Sequence, residues 1–451
     1  MAPKSHHPTQ EELSRFLCSE LGRTESISVV RHLLKGCSQC RSFLAHKRVR
    51  TRTQLRAVPD YSTACRRAEL ASVVSYAALK EERHAATQLW DLLADKEHPT
   101  RLLIIRNDRR FQLWGLYDHI ESLIRQTAKE EPFKAVDLAH LGLELALHLD
   151  SAEYGDGRVN DFIGSAYGNL AHAKRRAGDL QGAAEAIGQG RNYLGEGTGD
   201  PVEDAMLGVT TAALLNDMGE FQEAVGLLNT VLRLFRSVGD TRGFAYTRIQ
   251  QASILAFYDS AEAISIAEEA LGILPESHNF AELSARHTIA WCYNDLGDHD
   301  EALQIVRTYD YLYARFDDPV TVGQRLWLIG RIYSKSRNYE AASAVLDEAY
   351  DMYLSSNLFF EATLITLDRI EAMIYRKQIE QALEAARKLI PRFKRWGLKK
   401  EAMEVWGLMI KGVESGDFLQ GNMSSRISFE LRQTWFPRPS GVDLRELNPT
   451  A

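Results

Sequence analysis

The sequence predicts an all-α protein: a solenoid of about seven stacked helix pairs with a small helical module in front of it. Three observations carry this. Ala183, Ala224, Ala263, Ala302, Ala342 and Ala382 recur at spacings of 41, 39, 39, 40 and 40 residues. Four of them close a turn phrase of one type: Gly178-Asp-Leu-Gln-Gly-Ala183, Gly219-Glu-Phe-Gln-Glu-Ala224, Gly297-Asp-His-Asp-Glu-Ala302 and Arg337-Asn-Tyr-Glu-Ala-Ala342. The 451 residues hold only 12 prolines, which fits a mostly helical chain. A fixed period between 20 and 50 residues marks stacked supersecondary units, each packed only on its neighbours. An array of this kind offers an extended binding surface, and its length says little about domain number.

Composition narrows the function classes. Hydrophobic residues make up 45% and charged residues 25%, ordinary for a globular chain. The net charge of −7 is uneven: residues 1–60 carry eleven Lys/Arg against five Asp/Glu, leaving −13 on the remainder. An acidic solenoid is a poor general ligand for nucleic acid, where affinity comes from neutralising phosphates. No apolar stretch reaches the 18 residues of a membrane span. The start, Met1-Ala-Pro-Lys-Ser-His-His7, has no apolar signal core, so the expected location is the cytoplasm. The cysteines at 18, 37, 40, 65 and 292 are few and odd in number. In a reducing compartment the pair three residues apart points to a metal rather than a disulfide.

Taken in order, the first element is the module at 1–46. It reads His6-His7-Pro-Thr-Gln-Glu-Glu-Leu13, then Val29-Val30-Arg-His32-Leu33-Leu34-Lys-Gly-Cys37-Ser-Gln-Cys40. Cys37 and Cys40 offer two thiolates from one turn, and His32 lies a little over a helical turn earlier. Structural zinc takes four thiolate or imidazole ligands in a closed tetrahedral shell. So small a module cannot bury a large core, and a metal staple offsets that shortage. The phrase resembles the zinc-binding anti-sigma module, with Glu20-Leu21-Gly22 near its turn; four residues separate His32 from Cys37 where three are usual, and Gly36 can absorb the extra one. The resemblance implies His7 as the fourth ligand, with His6 or Cys18 as alternatives, and a sigma factor or other regulator as a partner.

Residues 47–65 read as a basic linker, from Lys47-Arg48-Val-Arg50-Thr-Arg52 onward. Residues 66–102 are expected to form capping helices. The solenoid proper spans 103–419, opening with a degenerate pair at roughly 103–128 and 132–149 that contains Ala135. In the unit around Ala302, Ile289, Ala290, Tyr293 and Leu296 follow the 3–4 spacing of an amphipathic helix. Gly297 supplies a left-handed residue after its last turn. The next helix begins near Asp300 and turns Ala302, Leu303, Val306 and Tyr309 inward. Small residues at 290 and 302 let the two helices approach closely.

This arrangement resembles the tetratricopeptide repeat, which wants a small residue, then Tyr, then Ala at three of its positions. Ala290, Tyr293 and Ala302 fill them here; so do Gly330, Tyr333 and Ala342. Earlier units supply Ala171, Lys174 and Ala183, and Ala212, Leu215 and Ala224. The turn near Tyr258 is shifted by about one residue, and Ile370 stands where a small residue belongs. The period is nearer 40 than the family's 34, so helices and loops are lengthened. The resemblance implies a right-handed α-solenoid that binds a protein or peptide in its concave groove. The first-helix residues expected to line that groove are Ser165, His172 and Arg175, then Asn216, then His287, Trp291 and Asn294, then Gln324, Trp327 and Arg331. Aromatic, Arg and amide side chains are the types that anchor partners. Arg331 is expected to face solvent. Trp291 and Trp327 have a second reading, burial against the next repeat.

Residues 420–451 lose the period and read as a tail, in which Trp435-Phe436-Pro437-Arg-Pro439 either packs on the last repeat or serves as a short linear motif. Enzyme motifs are missing: there is no Gly-x-x-x-x-Gly-Lys-Ser/Thr, Gly-x-Ser-x-Gly or His-Glu-x-x-His. Gly195-Glu-Gly-Thr-Gly199 follows no strand and reads as a loop. Cys292 beside Trp291 reads as a packed thiol, and Cys65 has a basic neighbourhood but no evident base. The sequence therefore points to a non-catalytic cytoplasmic interaction scaffold, regulatory and bacterial in type. The alternatives are an anti-sigma-like regulator acting through the N-terminal module and an enzyme site within 66–160.

Overall fold

A computed structural model describes residues 7–17, 21–34, 37–51, 62–274, 279–356, 358–395, 400–416 and 423–434. Among them there are only helices, turns and loops. The chain divides into two compact units, Met1–Ala77 and Ala78–Ala451.

In the first unit, α1 (Gln10–Leu17), α2 (Arg23–Leu34) and α3 (Ser38–Thr51) surround a small core of Leu13, Val29 and Cys40. Thr9 and Glu12 cap α1 reciprocally: Thr9 N–H donates to the Glu12 carboxylate at 2.6 Å, and Glu12 N–H donates to Thr9 Oγ1 at 3.2 Å. The expected linker is helical as far as Thr51, and 52–61 lie outside the described residues.

Residues 66–102, expected as capping helices, fall in α4 (Ser62–Ala94) and α5 (His98–Asn107). The opening pair differs from expectation. Its first half is broken after Asn107, where Asp108 accepts a hydrogen bond from Arg110 N–H and starts a short 3-10 turn that buries Phe111. The helix resumes as α6 (Trp114–Thr127), partnered by α7 (Pro132–Ala146) and followed by the single turn α8 (Ser151–Tyr154). Five pairs follow in the predicted rhythm: α9 (Asp156–Arg176) with α10 (Leu180–Gly195), α11 (Pro201–Asp217) with α12 (Phe221–Val238), α13 (Thr241–Leu255) with α14 (Ser260–Ile273), α15 (Asn279–Leu296) with α16 (His299–Thr308) and its extra turn α17 (Asp310–Tyr313), and α18 (Pro319–Lys335) with α19 (Tyr339–Ser355). The array ends with α20 (Phe359–Tyr375), α21 (Ile379–Arg395), α22 (Lys400–Ser415) and α23 (Met423–Thr434).

The periodic residues do what their spacing implied. Ala183, Ala224, Ala263, Ala302, Ala342 and Ala382 are all fully buried. At Gly330 the fit is tighter still: a Cβ there would stand 2.6 Å from the Leu346 side chain. Ile370 is buried too, so that unit tolerates bulk where the others need a small residue. The turns share one hydrogen-bond pattern. The N–H groups of Asp179, Glu220, Asp298, Asn338 and Gln378 reach back to the carbonyls of Lys174, Leu215, Tyr293, Tyr333 and Met373 at 2.8–2.9 Å. That is the six-to-one bond of a helix end closed by a left-handed residue. Gly219 and Gly297 supply that conformation at no steric cost, whereas Arg337 (φ 63°) and Lys377 (φ 62°) adopt it with a Cβ.

Within the larger unit the coil returns on itself. Lys129, after α6, pairs with Asp318 at the start of α18 at 2.8 Å and lies over the Phe280 ring at 5.0 Å. No helix among the described residues is long and apolar enough to cross a membrane.

Candidate functional site: an aromatic groove that holds the C-terminal helix

First helices of successive pairs stand side by side, so α15 and α18 bring the predicted aromatic residues together. The Trp291 and Trp327 rings meet edge to face at 5.1 Å, and His287 lies 6.2 Å from Trp291. With Gln324, Tyr313, Phe280 and Tyr353 these residues line a cavity of about 300 Å³. Of the predicted set, His287, Trp291, Gln324 and Trp327 line this cavity.

Arg331 requires a correction. It is buried, not solvent-facing, with its guanidinium 4.3 Å over the Trp291 ring. It donates to Asp295 at 2.9 Å and stands 3.9 Å from Asp368. Asp368, itself buried, also accepts from Trp327 Nε1–H at 2.7 Å. Burial works against the Arg331 charge, but Asp368 and Asp295 outweigh it and hold its pKa up. Burial raises the pKa of Asp368. Trp327 is therefore both packed and groove-lining, since it is buried yet contributes to the cavity wall. Asn294 is buried and shares a hydrogen bond with His299 at 2.9 Å, which withdraws it from the surface. His287 shares a hydrogen bond with the Tyr313 hydroxyl at 2.8 Å, and burial pulls its pKa down to about 4, so it is neutral at pH 7.

The earlier repeats place the remaining residues apart from this cavity. Burial takes His172 down to about 3. Arg175 pairs with Asp217 at 2.5 Å, and the buried Oδ1 of Asn216 has no hydrogen-bond partner. Cys292 is fully buried, and burial pushes its thiol up to about 12, as a packed residue requires.

Within the expected tail, 423–434 form α23, while Trp435 to Pro439 lie outside the described residues. The helix lies inside the groove. On one face Ile427 and Leu431 are buried among residues of α20 and α22. On the other, Phe429 packs on Phe221 at 5.7 Å, and Arg432 lies 4.1 Å over Phe257 and 5.5 Å from Phe360. At its end Gln433 abuts Gly219, where a Cβ would come within 2.5 Å of the Gln433 Cα. Arg432 lines the same cavity as Trp291 and Trp327, and burial lowers its pKa to about 10. A helix lying on an outer surface buries one stripe; this one is also covered on its other face by Phe221, 208 residues before Phe429 in sequence.

The N-terminal unit gathers His7, His32, Cys37 and Cys40, whose ligand atoms all lie within 4.8 Å of one another. His7 Nε2 is 3.4 Å from Cys37 Sγ, and His32 Nε2 is 3.4 Å from Cys40 Sγ. Tetrahedral zinc with Zn–S near 2.3 Å and Zn–N near 2.05 Å requires S···N separations of about 3.5 Å. The donor set fits the metal in kind and in spacing. Cys37 is pulled down to about 6, first by the Cys40 backbone N–H and then by His32. His6, Cys18 and Gly36 lie outside the described residues.

Comparison with known proteins agrees with the fold. Residues 324–355, the span of α18 and α19, match the tetratricopeptide repeat family. The chain thus carries a tetratricopeptide repeat within a helical-repeat solenoid. Two solved structures are similar at low identity. One is a signal transduction ATPase with numerous domains and a tetratricopeptide repeat sensor from Pyrococcus horikoshii, with 15% identity and TM-score 0.46; the match covers 95% of this chain and 60% of that one. The other is the apo form of RapI, with 16% identity, TM-score 0.44, and coverage of 74% and 97%. No curated protein matches the sequence.

Proposed function

We propose that this chain is a non-catalytic regulatory scaffold whose solenoid groove takes an amphipathic helix of a partner protein. The observation that supports the reading is α23 itself. The groove already holds a helix, gripped by an aromatic pair on one side (Phe429 on Phe221) and a stacked cation (Arg432 between Phe257 and Phe360). Helix-in-groove recognition uses anchors at 3–4 spacing of this kind. The resident helix stands for the partner's chemistry: an apolar stripe with an aromatic residue and an Arg three positions on.

A test uses the full chain. In Phe429→Asp/Leu431→Asp, α23 loses anchors on both faces. This variant, folded by circular dichroism, should bind a fluorescent peptide of residues 423–434 that the unaltered chain excludes. Failure of the peptide to bind the folded variant refutes the reading.

The clustered thiols and imidazoles of the N-terminal unit favour a second, compatible role. We propose that the unit is a zinc-stapled module of anti-sigma type that presents its own protein-binding surface in the bacterial cytoplasm. Zinc would supply only cross-linking there: four ligands make a closed shell with no open position for substrate.

A further inference from the structure

A second cavity, of about 250 Å³, opens among α6, α9 and α11, apart from the aromatic groove. We propose that it binds an ammonium or guanidinium group, carried either by a small amine or by an Arg or Lys side chain of a partner.

Three carboxylates line the cavity: Asp118, Glu121 and Glu203. Two already have cations. Arg83 holds Asp118 at 2.9 Å, and Arg125 holds Glu121 at 2.6 Å. Glu203 has no such partner among the described residues, and its charged neighbours Glu121, Asp200 and Asp161 are all acids. A half-buried carboxylate surrounded by acids is a costly arrangement that a cation relieves. Burial, reinforced by those acids, holds the Glu203 pKa up at about 7.

The cavity also contains unmade hydrogen bonds. Tyr117 is 3% exposed, and neither its hydroxyl nor the buried Nδ2 of Asn169 makes a close hydrogen bond, although Ser165 and Asn169 stand near the hydroxyl. Tyr117 and Asn169 line the cavity, with Ser165 beside them. Buried polar atoms of native proteins are rarely left unpaired, and those that are unpaired call for a missing partner. A guanidinium or ammonium can donate to Tyr117 Oη and to the Glu203 carboxylate together.

The walls suit a cation as well. Phe162 and Trp114 stand 6.2 Å apart at the rim, and the Arg83 guanidinium already lies 4.6 Å from the Trp114 ring centre. Aromatic faces attract such groups. Size sets the class of ligand: drug-sized molecules occupy about 300–1,000 Å³. This cavity is smaller, and holds one side-chain-sized head group.

Isothermal titration of the full chain decides the matter, with agmatine, a blocked Arg-containing pentapeptide, and its uncharged citrulline counterpart as probes. Saturable binding of agmatine supports the site and identifies a small amine as sufficient. Binding of the Arg peptide alone supports the site and identifies a partner side chain. In either case Glu203→Gln should weaken binding by roughly tenfold or more, the worth of a hydrogen bond to a charged group. Tyr117→Phe should weaken it with little change in the melting temperature, because the hydroxyl makes no close hydrogen bond in the free protein. No saturable binding by agmatine or the Arg peptide, equal binding by the citrulline peptide, or unchanged binding in folded Glu203→Gln overturns the proposal.

Discussion

Replacing Arg331 by Met probes the buried ion network behind the two tryptophans. The Met stem keeps much of the apolar contact over Trp291 while removing the charge. Asp295 is partly exposed and can be solvated; Asp368 cannot, since its side chain is only 7% exposed. Arg331→Met therefore leaves one buried carboxylate with Trp327 Nε1–H as its near donor, 2.7 Å away. Breaking a buried pair on one side costs about 3–5 kcal/mol, because the remaining charge is uncompensated. Asp368→Asn in the same chain keeps an acceptor for Trp327 and removes the charge, so the double variant should recover most of the loss. The pH dependence has a fixed sign. Asp368 has a folded pKa above its unfolded value, so the native state holds the extra proton. The Arg331→Met deficit is then smallest below the ordinary carboxylate range and grows as pH rises through the raised pKa. Urea unfolding monitored by tryptophan fluorescence at two pH values gives both quantities. An Arg331→Met chain as stable as the parent at pH 7, or a double variant no better than the single one, would refute the reasoning.

Three further outcomes are expected. Protein purified without chelator should hold one zinc per chain by elemental analysis, and Cys37→Ser/Cys40→Ser should hold none; a metal content unchanged by that substitution counts against the site. Ala302→Leu and Ala342→Leu should each cost about 1–3 kcal/mol by overpacking a fully buried position, and thermal melts that do not move would break the assigned register. Arg337→Gly and Lys377→Gly should each stabilise by roughly 1 kcal/mol, since both residues hold a left-handed backbone that disfavours a Cβ; destabilisation in urea titrations would show that their side chains carry compensating contacts.

The helical pairs were legible because each repeats one local requirement. A buried Ala and a left-handed turn leave their mark every forty residues, whatever the rest of the chain does. The clustering of His7, His32, Cys37 and Cys40 was legible for a similar reason, three of them lying within nine residues of chain. The break at Asp108 was less visible: a single Asp capping a 3-10 turn does not disturb the apolar count on either side. The orientation of Arg331 was invisible. Its exposure depends on Asp368, 37 positions further on in the next pair, and no helical period within one repeat records that pairing. The second cavity has the same character, since Tyr117, Asn169 and Glu203 come from three separate pairs.

The position of α23 shows most clearly what local pattern leaves out, and it constrains how the groove can work. Ile427 and Leu431 are spaced as one helical stripe, but Phe429 on the opposite face gains meaning only from Phe221, two hundred residues earlier. A 12-residue helix is about 18 Å long and 10 Å across, roughly 1,400 Å³. The empty space beside α23, its opening to solvent included, is about 1060 Å³, still less than a helix fills. Lys129 and Asp318 tie the end of α6 to the start of α18 at 2.8 Å, which opposes widening at that turn of the coil. On the proposed reading, a partner helix replaces α23 rather than lying beside it. Its affinity is then the difference between two helices competing for one set of contacts, which makes the strength of the Phe429 and Arg432 anchors the threshold that a partner has to exceed.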